Sequence, residues 1–223
     1  MFVGHYAAAF AAKAIEPKAP MWTLIGAAQL VDIGWSAFII AGIERASVDP
    51  TLPGSPLVLE HMPWTHSLPM ALAWALGAAV LVKLLLRLPV WASVVVGLTV
   101  FSHWLLDWLV HRPDLELWIG GEKVGLALWN YPVPEQALEI GLLGVTAAIW
   151  VATRKTLNQK AWPAIAFLVM LICVQILPML MPGQPAGPVG AAFAAQALAV
   201  YLIAAGAAAL TELPRKQPIQ GIV

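Results

Sequence analysis

A chain of 223 residues that is 61% hydrophobic and only 11% charged has too little polar surface to wrap a water-soluble globule, so it reads as a polytopic membrane protein. Twelve Lys and Arg balance twelve Asp and Glu, which leaves no basic excess for a nucleic-acid partner. Its one cysteine, Cys173, lies in an apolar run, so neither an internal disulfide nor thiol chemistry is expected.

In chain order, residues 1–16 are apolar apart from His5, Lys13 and Glu16. They lack the basic lead of a signal peptide and are too short to span a bilayer. They read as a short helix inserted into the membrane, turned back by Pro17-Lys18-Ala19-Pro20, with Met1 inside the bilayer. Apolar runs follow at 22–43, 66–87, 90–111, 135–153, 162–182 and 189–211, each near the roughly 18 to 20 residues that cross about 30 Å of hydrocarbon. The fold class is therefore all-α, a bundle of six transmembrane helices plus the short N-terminal helix. With no internal repeat, residues 1–223 form one membrane domain.

Lys13, Lys18, Lys83, Arg87, Arg154, Lys155, Lys160, Arg215 and Lys216 fall at one set of span ends, and Arg45, Arg112 and Lys123 at the other. The positive-inside rule makes the first side cytoplasmic, with the C-terminus on it. The two long loops, 44–65 and 112–134, then face outward, with Trp64, Trp118 and Trp129 as interfacial anchors.

Ionisable groups within a bilayer cost a few kcal/mol each and usually serve a site or pathway. Counting about 1.5 Å per residue from the cytoplasmic turns puts His5, Asp32, His103, Glu139 and Asp107 between about 18 and 26 Å, with His66, His111 and Glu135 just above. If residues 1–16 pair antiparallel with the first span about the proline turn, His5 and Asp32 share one depth. His103, Asp107 and His111 recur every fourth residue, on one helical face, where imidazoles and a carboxylate can bind a divalent ion. A buried His103–Asp107 hydrogen bond with an interfacial His111 is the structural alternative. Asp32, alone in a first span, needs a cation, a proton or a donor. His66 falls in the first turn of the second span, with Thr65 as its cap, and His61 is a solvated loop residue. Glu135 suits a helix start, whereas Glu139, a turn deeper, suits a ligand or general base. Gln29, Gln175 and Gln196 read as interhelical hydrogen-bond groups. Spans five and six are packing scaffold.

The ordered set Gly4-His5, Asp32, Thr65-His66-Ser67, Ser102-His103 with Asp107, and KVGLALWN at 123–130 resembles the YdjM-like family of predicted membrane-bound metal-dependent hydrolases. That family is in turn similar to zinc-dependent phospholipase C, in which the N-terminus also lies at the metals. The resemblance covers about residues 1–140, leaving 141–223 as the rest of the fourth span, spans five and six and a tail. It implies that His5, Asp32, His66, His103 and Asp107 ligate one or two divalent ions, zinc first, and that the site acts on phosphoester bonds. The chain departs from the family where Ile33-Gly34 replaces a second acid after Asp32 and where Met62-Pro63-Trp64 precedes the THS motif. Glu135 to Glu139 stands where the phospholipase has a late HxxxE pair.

The expected function is a membrane-embedded hydrolase, in a bacterial inner membrane, acting on a phospholipid or lipid-linked phosphate that enters from the outer side. His111 or Glu139 would move the proton, and Arg112 and Lys123 would hold the phosphate. One alternative is an accessory subunit of a larger complex, or a homo-oligomer, packed through spans five and six. The other is a transporter, which would need polar groups in the cytoplasmic half, where only Lys83 and Gln175 stand out.

Overall fold

Proline and alanine patterns set most of the helix limits in the computed structural model, which describes residues 1–181, 183 and 185–212. A short 3₁₀ turn, Val3–His5, runs into α1, the alanine-rich Tyr6–Ile15. After the proline turn come α2 (Met21–Ala28) and α3 (Leu30–Ile40), then α4 (Leu68–Leu85) and α5 (Val90–Val110). The last three are α6 (Pro132–Thr156), α7 (Trp162–Ile176) and α8 (Ala191–Leu210). Prolines occupy the first turns of α4, α6 and α7, where a missing N–H costs nothing. Pro178 ends α7, which tightens into a 3₁₀ turn at Leu177–Leu180.

Among the described residues five helices are long and apolar enough to cross a membrane, or six if α2 and α3, bent by 54° at the break between them, count as one span. The first span expected at 22–43 is thus broken at its middle. Gln29 leaves helical geometry at φ −114°, ψ 12°, and its side-chain amide donates to the Phe2 carbonyl (3.1 Å). The break is stabilised by a partner outside the helix rather than by a proline or glycine.

The two ends of the bundle differ. At the short-turn end, buried Lys13 donates to the carbonyls of Pro17 and Ala19 and pairs with Glu212. Buried Arg154 there donates to the carbonyls of Lys160 and Thr211. Lys13 is thus a buried staple of the turn. The C-terminal tail, with Arg215 and Lys216, lies outside the described residues.

The opposite end carries the long loops, which the sequence left without regular structure but which contain short strands. β1 (Arg45–Val48) pairs antiparallel with β2 (Leu57–His61) and with β5 (Gly187–Pro188), in the order β2-β1-β5. β3 (Leu115–Glu116) and β4 (Lys123–Val124) form a second antiparallel pair, closed through Gly120 at φ +69°.

The main core lies below these loops, where α1 inserts between α2, α5 and α6. Phe10 stacks on Trp150 (5.1 Å) and meets Phe167 edge-on. A smaller cluster of Trp35, Ile39, Leu59, Met62 and Leu115 seats the loops on α3. Large apolar side chains on the outer faces, such as Leu76 and Leu85, are two-thirds or more exposed, as lipid-facing residues are.

Candidate metal centre

α5 supplies the centre of the site by periodicity. Asp107 lies one turn from His103 on one side and one turn from His111 on the other, and all three are buried. Asp107 Oδ2 is 3.1 Å from His103 Nε2, and Asp107 Oδ1 is 3.5 Å from His111 Nε2.

The break at Gln29 adds a second contribution. His103 Nδ1 is 2.8 Å from the Ala28 carbonyl; a carbonyl can only accept, so Nδ1 carries a proton and Nε2 is the nitrogen turned to the acids. One turn further along α3, Asp32 Oδ1 comes within 3.5 Å of that Nε2. His66 Nε2 completes the group at 3.4 Å from Asp32 Oδ1 and 3.7 Å from Asp107 Oδ2.

His66 precedes its helix: α4 begins at Leu68 after Ser67. Thr65 is not the helix cap that was expected. Its hydroxyl lies 2.6 Å from Glu44 Oε2 and 2.7 Å from His66 Nδ1. Trp104 of α5 fixes the same turn by donating Nε1–H to the His66 carbonyl (3.0 Å).

The N-terminal segment enters from the other side of Asp107. The Met1 α-ammonium donates to Asp107 Oδ1 (2.7 Å), and His5 Nε2 is 3.1 Å from the same oxygen. The His5 ring stacks on His103 at 3.7 Å and 6°, so the expected meeting of His5 and Asp32 takes place through His103. Glu139 holds this segment: its two oxygens accept the N–H groups of Phe2 (2.9 Å) and Gly4 (3.0 Å). Each oxygen gives one lone pair to a backbone N–H, so Glu139 anchors residues 2–4. Glu135, also buried, accepts from Gln136, which in turn accepts from Gln175. The expected amide bridging is thus seen at Gln29 and Gln175.

His111 keeps a posture suited to proton transfer. Its Nδ1 is 3.0 Å from Asp114 Oδ1 while Nε2 faces Asp107, and its ring packs on Trp129 at 3.8 Å. Trp129 is therefore a wall of the site, buried rather than interfacial, whereas Trp64 and Trp118 are exposed. The KVGLALWN segment closes over this end of α5 as Leu126 N–H and Ala127 N–H donate to the carbonyls of Trp108 and His111. Gly125 makes the crossing feasible, since a Cβ there would stand 2.2 Å from the Arg112 oxygen and 2.5 Å from that of His111.

Arg112 and Lys123 do not join the cluster. Arg112 donates to Asn130 Oδ1 and to the carbonyls of Ser55 and Pro53, and Lys123 to those of Leu59 and Glu60. Both clasp loops, with three of the five guanidinium N–H donors and two of the three ammonium ones engaged. Burial draws the Arg112 guanidinium down from its ordinary value, against the upward pull of Asp114 and Asp49.

Two overlapping groups, His5-His103-Asp107 and Asp32-His66-His103, bring one ligand atom per residue within 4.8 Å of one another. A cation fits the donor set. His103 Nε2 is buried with no hydrogen-bond partner, and it faces two carboxylates and a second imidazole. Sequence reasoning found every member of these groups. It missed Glu44, Thr65 as an imidazole partner, the Ala28 carbonyl, Asp114, and buried Tyr201, which faces Asp32 from α8. Apart from Thr65, which stands in the THS motif, none of these carries a periodic or motif signal.

No curated protein and no solved structure matches the chain. A family description does, over residues 1–183, which takes in every residue of the metal centre except Tyr201 on its rim. On that match, the chain belongs to the YdjM inner membrane protein family.

Proposed function

We propose that this protein is a membrane-embedded metal-dependent hydrolase that cleaves a phosphoester bond of a phospholipid or lipid-linked phosphate. The observation that carries the reading is the pair of overlapping donor groups, His5-His103-Asp107 and Asp32-His66-His103, whose ligand atoms lie within 4.8 Å of one another, with the Nε2 atoms of His66 and His103 each 3.1 to 3.7 Å from an oxygen of Asp32 and of Asp107. Ligands about 2.0–2.1 Å from a tetrahedral zinc stand about 3.3 Å from one another. Imidazole donors mixed with carboxylates favour Zn²⁺ over the oxygen-seeking Mg²⁺ and Ca²⁺. A second ion would draw on Asp107 Oδ1, His5 and His111. When bound, such an ion acidifies water and neutralises charge developing on a phosphoryl oxygen.

The chain's own groups divide the remaining work. His111, backed by Asp114, takes up and returns the proton at Nε2. Glu139 keeps His5 in place through the backbone of residues 2–4. The lysine and arginine distribution puts the loop-bearing end on the outer side, so the substrate reaches the site from there.

The test is elemental mass spectrometry on detergent-purified protein beside Asp107→Ala and His103→Ala, followed by turnover of phospholipid phosphodiesters and lipid phosphates. One or two equivalents of zinc, lost in both variants, together with turnover, are expected. A folded parent without bound metal would overturn the reading.

A second reading has its own support: the donors come from α3, from the turn before α4 and from α5, so an ion there would tie these elements together, as structural zinc does. An ion that only braces the helices would suit an accessory subunit packed through α7 and α8, and metal without turnover, in protein that co-purifies with another chain, would favour it. Transport has less support. The buried cations of the short-turn end, Lys13 and Arg154, are committed to backbone carbonyls rather than lining a path.

A further inference from the structure

Glu44 sits just beyond α3, in a loop that neither the family motifs nor the helical periodicity singles out, yet it is 2% exposed. A carboxylate so buried needs partners, and it has three. Oε1 accepts the N–H groups of Trp64 (2.8 Å) and Thr65 (2.9 Å), and Oε2 accepts the Thr65 hydroxyl (2.6 Å). The arrangement fixes a proton. A threonine hydroxyl has one hydrogen, and an ionised carboxylate can only accept, so that hydrogen points at Glu44. Towards His66 Nδ1, at 2.7 Å, Thr65 Oγ1 can then only accept. The Nδ1 atom therefore carries a proton, which leaves Nε2 as the ring nitrogen able to give a lone pair to a cation beside Asp32 and Asp107.

We propose that Glu44 is a positioning residue for the metal centre, acting through Thr65 to lock the His66 tautomer that can ligate. The proposal rests on the metal reading for its consequence, but not for the tautomer itself. It has a parallel within the same site. His103 is set by a carbonyl freed at a helix break, His66 by a carboxylate two hydrogen bonds removed, and each is thereby held with a proton on Nδ1 and Nε2 turned to the site. Outer partners of ligating histidines commonly act this way, and their loss costs about 10- to 100-fold in metal affinity.

Glu44→Gln is the informative variant because it preserves shape and inverts the relay. The amide oxygen keeps the two backbone N–H groups, while the NH₂ donates to Thr65 Oγ1. The hydroxyl hydrogen then turns to His66 Nδ1 and drives the ring proton to Nε2. Two measurements follow. The first is ¹⁵N NMR of histidine-labelled, metal-free protein in detergent, with the His66 signals assigned by substitution. The second is zinc affinity by chelator competition.

The parent is expected to show Nδ1–H. Glu44→Gln is expected to show Nε2–H and about 10- to 100-fold weaker zinc binding, with an unchanged helical fold. Thr65→Ser should match the parent in both measurements. A Glu44→Gln protein with the parent's tautomer and the parent's affinity would overturn the proposal. If that variant does not fold, Thr65→Val against Thr65→Ser decides the same point, since equal affinities would also overturn it. A parent that binds no zinc overturns the metal centre, and the nitrogen signals still decide the relay.

Discussion

The bent span α2–α3 and the straight span α5 feed the same site by opposite means. α5 delivers His103, Asp107 and His111 by spacing alone, because residues four apart share a face. The bent span delivers the Ala28 carbonyl and Asp32 by abandoning regularity at Gln29, with a 54° change of direction. A regular helix would have engaged that carbonyl internally. Periodicity therefore places the ligands, and the irregular backbone orients them.

The sharpest way to break this comparison is to remove the charge at the centre of the periodic helix. Asp107→Asn keeps the shape but withdraws a carboxylate that faces Met1, His5, His66, His103 and His111. Bound zinc should fall by more than the about 10- to 100-fold typical of outer-partner losses, read by elemental analysis. Full metal content would show that α5 is not the provider.

Gly125→Ala comes next and strikes the lid of α5 rather than its ligands. A Cβ forced against two backbone carbonyls should cost about 3 kcal/mol, seen as a lower unfolding temperature in detergent. An unaltered temperature would mean that the lid adjusts freely. For the bent span, Gln29→Leu leaves the Phe2 carbonyl without its donor and should cost about 1–3 kcal/mol. If the variant were as stable as the parent, the break would need another cause. The smallest effect is expected at α4, whose lipid-facing Leu81 is 55% exposed. Leu81→Ala should change stability by less than about 0.5 kcal/mol and leave metal content intact, and a larger loss would mean that this face is covered.

The same contrast explains what could be read in advance. Six spans, the buried N-terminal helix and the ligands on α5 follow from hydropathy and a four-residue period, both of which are local. His5, Asp32 and His66 followed from motif order and a count of depth. The bend at Gln29 did not, because its partner, Phe2, is 27 residues away and no proline or glycine marks the spot. Glu44 escaped for the same reason, being 21 residues from Thr65 on an aperiodic loop. The loop contacts of Arg112 and Lys123, made to residues 18 to 64 positions away, carry no local signal. Glu139 was found as a buried acid on the right face, but its hold on the backbone of Phe2 and Gly4 was not, because those partners are 137 and 135 residues away.

The hold of Glu139 on Phe2 and Gly4 also bears on how the protein is made. The two ends of that contact are 137 and 135 residues apart, with α1 to α5 synthesised between them. At the usual ribosomal pace of about 5–20 residues per second, the first turn of the chain waits about 7 to 27 seconds for its anchor. During that interval His5, Asp32 and Asp107 are in or near the bilayer without their full set of partners. Biogenesis is thus the period when this protein is most exposed to insertion errors, and a chain halted before α6 should be a preferred target for membrane quality control.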